Sequence, residues 1–270
     1  MDLAGPAMSP LGDRRQAQPR PTIGKVTMIY GNRSIYERGL KTHEEHARRF
    51  GYPVSVLRKP TLSGTYSKCA ILLAEMLHEL EKPADKRLEW LFWFDSDTVL
   101  MNANMPLEVF LPPPTLPDVH LLLTKDWNGL NNGVYFIRVN EWSVRLLSAT
   151  IAYPSVNPDV TLAWQDQSAL SNLLDENEYF RKHTVYCPLR WFNAYMRSPD
   201  ALRPNPDSPE HLQVHPGDLL VHFPGTPSDH LDQTLTPYLE IAENHAAEWE
   251  LPLEQTGYIE ETKEFWAKVT

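Results

Sequence analysis

The stretch WLFWFDSDTVLMN, Trp90 to Asn102, carries an uninterrupted apolar run, Leu91 to Phe94, straight into Asp95-Ser96-Asp97. A short apolar run of this kind is a buried strand. Two carboxylates at its end repel each other, and so close to a core they need a cationic partner. That demand, a buried strand delivering paired acids to one point, restricts the fold to one that gathers ligands at the ends of its strands. Open α/β sheets do so at their carboxyl ends.

The rest of the chain supplies such a sheet. Gly24–Tyr30, Val54–Leu57, Val119–Thr124, Gly133–Val139 and Asp218–Phe223 read as further strands. Tyr36–Phe50 (stopped by Gly51), Thr65–Leu80, Trp142–Tyr153 (ended by Pro154) and Thr161–Leu174 read as helices. The Leu111–Pro117 segment is a proline-stiffened loop, and the acidic tail Leu235–Thr270 reads as helical. Strands alternating with helices predict an α/β fold with a mostly parallel central sheet flanked by helices. At 270 residues, one domain over 22–270 is expected, after an arm over 1–21 that is proline-rich and lacks the apolar core of a secretory signal.

A net charge of −10 argues against a nucleic-acid partner. The two cysteines, Cys69 and Cys187, are far apart and form no CxxC pair, so reduced structural thiols are expected. No run reaches the roughly 18 apolar residues a membrane span needs. These readings together predict a cytoplasmic protein.

Four groups of residues stand out chemically. Asp95 and Asp97, two apart in an extended segment, would face one side and suit a hard divalent cation such as Mg²⁺ or Mn²⁺. A solvated loop is the plain alternative. His222 ends a strand just before Pro224-Gly225, where its imidazole could complete a metal shell or simply bond within the core. On a helix over Thr161–Leu174, Ala169, Leu170 and Leu173 fall within about 60° of Asp166. Asp166 is then an inward-facing acid in need of a partner or a task, with Gln167 at the edge of the same stripe. Between Lys125 and Arg138, Asp126 and the turn pairs Asn128-Gly129 and Asn132-Gly133 suit a loop lining a polar ligand, or an ordinary connection.

Taken in order, these segments resemble glycosyltransferase family 34, the fungal galactosyl/mannosyltransferase and plant xylosyltransferase family. WLFWFDSDTVLMN resembles its metal-binding strand, and DWNGLNNGVYFIRVNEWSVRLL its acceptor-side segment. QDQSAL at Gln165–Leu170 resembles its Asp-Gln-Ser-Ala-Leu helix, and VHFPG at Val221–Gly225 its late His-Phe-x-Gly. Lys68 stands where the family carries a lysine before a helix. The matches span about Lys25 to Gly225.

The resemblance implies a GT-A fold, a nucleotide-diphosphate sugar donor (UDP- or GDP-linked), Mn²⁺ or Mg²⁺, and transfer of a hexose or pentose to a hydroxyl acceptor with retention. It implies that Asp95, Asp97 and His222 hold the metal and that Lys68 approaches the diphosphate, with Ser96 and Gly225 in the donor-binding segments. Asp126, Asn131, Gln165, Asp166 and Gln167 would line the sugar and acceptor side, the last three as the catalytic set. The chain departs from the pattern at Gln165, where relatives often carry an acid, and after Gly225, where Thr226-Pro227 replaces a frequent cysteine. A small-molecule acceptor is therefore also expected. The resemblance also implies the Golgi lumen, should an anchor have been removed. Two other functions compete with this one. One is a haloacid-dehalogenase-like phosphatase built on FDSDTVL, for which no later Asp-Asp pair exists. The other is a nucleotide-sugar-binding protein without turnover.

Overall fold

The computed structural model describes residues 21–201 and 203–269, so the arm expected over 1–21 lies, save for Pro21, outside the described residues. In chain order the elements are β1 (Ile23–Met28), α1 (Ser34–Phe50), β2 (Val54–Leu57), α2 (Ser67–Glu81), β3 (Trp90–Phe94), β4 (Thr98–Leu100), β5 (Leu121–Asp126) and β6 (Gly129–Arg138). There follow α3 (Glu141–Val156), α4 (Asp166–Glu176), α5 (Glu178–Arg181), β7 (Thr184–Tyr186), β8 (Ala194–Tyr195), β9 (Leu220–His222), α6 (Leu231–Glu243) and α7 (Tyr258–Trp266).

The main sheet runs β2-β1-β3-β6-β5-β7. Only β6 is antiparallel to its neighbours; the other pairings are parallel. The period of two explains why β3 is apolar throughout. Trp90, Phe92 and Phe94 pack on one face with α1, α7, Trp191 and Phe192, while Leu91 and Trp93 pack on the other with α2, α3 and α4. Each of these side chains contributes roughly 1.5–3 kcal/mol by leaving water, so β3 anchors both layers. A small second sheet, β4-β9-β8, packs with α6 around Val99, Val221, Phe223 and Leu235.

Several local expectations change. Asp95-Ser96-Asp97 do not continue β3: the chain turns at Ser96–Asp97 and enters β4 in the second sheet. Proline 154 does not end α3, which runs to Val156, because proline's fixed φ is helical and in the last turn it removes a single backbone bond. The helix expected over Thr161–Leu174 begins only at Asp166, since Gln165 sits at φ 47°, outside helical space. The strand expected from Gly133 begins at Gly129, so Asn131 and Asn132 lie in the sheet rather than in a loop. The tail forms α6 and α7 with a short turn of 3₁₀ helix between them.

Candidate active site

One irregularity in the sheet builds most of the site. Leu122 pairs with Phe136, but Thr124, two residues on, pairs with Asn131, five residues back along β6. Asn132–Tyr135 of β6 thus stand opposite the single residue Leu123 of β5, a bulge on that side alone, while Val134 and Tyr135 keep their register with β3. Gly133 is pinned there because its carbonyl accepts the Asp95 N–H at 2.8 Å. It must be glycine: a Cβ would stand 2.1 Å from Cε1 of His222. The same bulge therefore seats the Asp95 backbone and the His222 ring together.

Asp95, Asp97 and His222 converge, with one potential ligand atom from each lying within 4.8 Å of the others. The convergence comes from two sheets. β3 delivers Asp95, the turn delivers Asp97, and β9 delivers His222 opposite Thr98. Asp97 is tied to the same strand by its carbonyl, which accepts the Phe223 N–H at 3.0 Å. His222 Nε2 lies 3.5 Å from Asp97 Oδ1.

Lys68, 3 % exposed, sits beneath this group. Its ammonium is 3.0 Å from Asp95 Oδ1 and 3.9 Å from Asp166 Oδ2, and donates to the Asn132 carbonyl at 2.9 Å. Burial pulls the ammonium pKa down, but the Asp95 and Asp166 carboxylates outweigh it and hold the group above its usual value. Burial likewise pushes the Asp95 carboxyl up, against the pull of Lys68. Trp93 Nε1 also donates to Asp95 Oδ1 at 2.8 Å. Lys68 is thus committed as the internal counter-ion of two acids.

Asp166, 2 % exposed, opens α4, where the helix dipole favours an anion. It accepts from Asn132 Nδ2 at 2.7 Å. Gln167 Oε1 accepts the Asn132 N–H at 3.2 Å. Gln165 is engaged at the edge of the cleft: its Oε1 accepts from the Thr65 N–H at 2.7 Å and tethers the start of α4 to the segment before α2. Asp126 accepts from Asn128 N at 2.6 Å, from Asn131 Nδ2 at 3.1 Å and from the Tyr195 hydroxyl.

These groups line one cleft of about 480 Å³. The structure brings Lys68, Asp95, Asp97, Asp126, Asn131, Gln165, Asp166, Gln167, His222 and Gly225 to it. Ser96 is not among the lining residues; it forms the turn between the two acids. Gly225 adopts φ +71°, which turns the chain after Pro224. Asn132, read from the sequence as part of a ligand-lining turn pair, does line the cleft, though from within β6. Asn193, Tyr195 and the exposed indoles Trp127 and Trp164 are not legible in the sequence: WFNAYM around Asn193 has neither periodicity nor motif. Beside the cleft a second cavity of about 530 Å³ shares Trp127, Tyr195, His222 and Pro224 and continues to Pro209 and Phe223.

A mixed α/β sheet flanked by helices, with this cleft at the ends of its strands, is the GT-A glycosyltransferase architecture. It overlays the crystal structure of a glycosyltransferase involved in the glycosylation of the major capsid of PBCV-1 with a TM-score of 0.59, covering 82% of this chain and 100% of that one. At 18% identity that likeness concerns the fold alone. The sequence match is more specific. The family model of the galactosyl transferase GMA12/MNN10 family matches residues 114–230, which include Asp126, Asp166 and His222 and stop short of Asp95. An α-1,2-galactosyltransferase of Schizosaccharomyces pombe is 24% identical over 253 residues, 77% of this chain and 63% of that protein. A probable α-1,6-mannosyltransferase, MNN10, of Saccharomyces cerevisiae is 25% identical over 190 residues, 58% of this chain and 47% of its own length. The chain thus spans about half to two thirds of these relatives. The resemblance read from the four motifs is borne out: the chain is similar to the galactosyl transferase GMA12/MNN10 family over residues 114–230 and to proteins named as galactosyl- and mannosyltransferases. The phosphatase alternative finds no support in these matches.

Proposed function

We propose that this protein transfers a hexose or pentose from a nucleotide-diphosphate sugar to a hydroxyl acceptor, with retention, and that Asp95, Asp97 and His222 hold the divalent metal it requires. The charge of the cleft carries this reading. Asp95, Asp97, Asp126 and Asp166 line it, and the lysine there is already paired with two of them. A diphosphate entering such a cleft meets net repulsion unless a cation intervenes. The donor set fits: two carboxylates and an imidazole suit Mn²⁺, with Mg²⁺ served by the oxygens. When bound, such an ion would neutralise charge gathering on the leaving diphosphate.

The remaining chemistry belongs to the chain. Asp166 and Gln167 stand beside the acids at the start of α4, bonded through Asn132 to the bulge of β6. Both are well placed to hold the sugar's hydroxyls. Asp166 is 2 % exposed and already bonded, which supports a positioning and electrostatic role over that of a nucleophile. A front-face route, with the diphosphate taking the acceptor proton, is then favoured. Lys68 acts by holding Asp95 and Asp166 in place rather than by meeting the phosphates. The second cavity, which shares Trp127 with the first, would receive the acceptor.

Incubation with Mn²⁺ and a panel of UDP- and GDP-sugars, scored by nucleoside diphosphate release, tests the reading. Release should require the metal and one sugar class. Transfer insensitive to chelation would overturn the metal assignment.

A further inference from the structure

The ring of His222 is held by a chain of amides whose sense can be deduced. Asn131 is bonded at both ends. Its Nδ2 lies 3.1 Å from an oxygen of Asp126, and its Oδ1 lies 2.9 Å from the backbone N–H of Gly133, which can only donate. The amide therefore has one orientation. Asn193 Nδ2 sits 2.9 Å from that Oδ1 and 2.7 Å from Thr124 Oγ1, so it is the donor. Its other atom, Oδ1, can then only accept, and it lies 2.8 Å from Nδ1 of His222. The proton of the imidazole belongs on Nδ1. Nε2 is left as the free lone pair, on the side of Asp97. Asn193, Thr124 and His222 are almost wholly buried, so water does not substitute for these partners.

We propose that Asn193 is a positioning residue that sets the tautomer of His222, reading the orientation of Asn131 and Asp126 into the atom His222 presents to a metal. This rests on the assignment of His222 as a ligand. It ties the metal site to the acceptor-side segment by hydrogen bonds alone, because the amide of Asn131 also contacts Tyr195 at 2.8 Å. The tautomer of a ligating histidine is decided by the bond its other nitrogen makes.

Two-bond ¹H–¹⁵N spectra of metal-free protein labelled with ¹⁵N-histidine decide the matter at a pH where the ring is neutral, with His222→Gln supplying the assignment. His222 should show a protonated Nδ1 and a bare Nε2. Asn193→Leu should release that preference and weaken Mn²⁺ binding, read by the paramagnetic resonance of free Mn²⁺, by about 10–100-fold. Asn193→Asp keeps an acceptor toward Nδ1 and should keep the tautomer; a mere packing role would treat the two variants alike. A wild-type ring protonated on Nε2 overturns the proposal, and needs no variant to fold. So does an Asn193→Leu protein with unchanged tautomer and Mn²⁺ affinity. A wild type with the Nδ1 proton but no Mn²⁺ binding would sink the ligand assignment while upholding the role of Asn193 in setting the proton.

Discussion

Asp95 and Asp97 differ in what holds them, and the difference separates their variants. Asp95 is paired with a buried lysine and accepts from Trp93, while Asp97 faces His222 from the turn. Both Asp95→Ala and Asp97→Ala should abolish Mn²⁺-dependent diphosphate release. Only Asp95→Ala should also destabilise the fold, by about 1–3 kcal/mol, because Lys68 loses a charged acceptor in a buried place. Thermal unfolding of the two proteins side by side checks this; equal melting temperatures would show that Asp166 and Asn132 suffice for Lys68.

Asp166→Asn keeps a group able to accept from Asn132 and changes the charge alone. Turnover should fall by roughly 10² or more with donor affinity little altered, the pattern of a contact made chiefly in the transition state. Steady-state kcat and KM for the donor decide it. Near-normal kcat would make the carboxylate a structural partner of Lys68.

Among the elements, α1 and β1 share a buried cluster of basic side chains. Lys25, wholly buried, donates to the His43 carbonyl at 3.1 Å and lies 3.3 Å from His46 Nδ1. Burial drives the Lys25 pKa well below 10.5, and those of His43 and His46 well below 6.5. The unfolded chain thus binds more protons than the native one below those values, and stability falls as pH falls. For Lys25 the window lies on the alkaline side, up to 10.5. Lys25→Met should flatten the rise of melting temperature between neutral and mildly alkaline pH, and should raise stability at neutral pH. The comparison with wild type cancels groups common to both, including the buried thiols of Cys69 and Cys187, whose pKa values burial raises. A slope shared by both proteins would mean that Lys25 keeps its charge inside.

At the scale of the molecule, the site joins two sheets, so a ligand there braces one against the other. A complex that forms only with the native state adds about 2.7 kcal/mol at a hundredfold excess over Kd. For a chain of this size that is a rise of roughly 5–10 °C in melting temperature. Mn²⁺ with UDP or GDP should produce it in the wild type and not in Asp97→Ala. A rise with the nucleotide alone, unaffected by chelator, would contradict a metal-bridged diphosphate.

The buried strand, the alternation of helices and strands, the paired acids, the inward Asp166 and the late histidine were all legible in the sequence. Each rests on a local rule: apolar runs bury, helical spacing selects a face, and acids near a core need partners. Their assembly was not legible. That Asp97 belongs to a second sheet, that Lys68 is sealed beneath two carboxylates, that Gln165 turns back to Thr65, and that Asn193 holds His222 all depend on contacts across long separations in the chain. The bulge in β6 shows why. One irregularity of register, invisible to period and propensity, accompanies the placing of Asn131 on Asp126, Asn132 on Asp166 and the Gly133 carbonyl on the Asp95 N–H. The sequence by itself determined which chemical groups the protein carries to the ends of its strands. Only the tertiary structure decided which of their atoms remain free to bind, because hydrogen bonding in a buried site is settled by neighbours that no local pattern specifies.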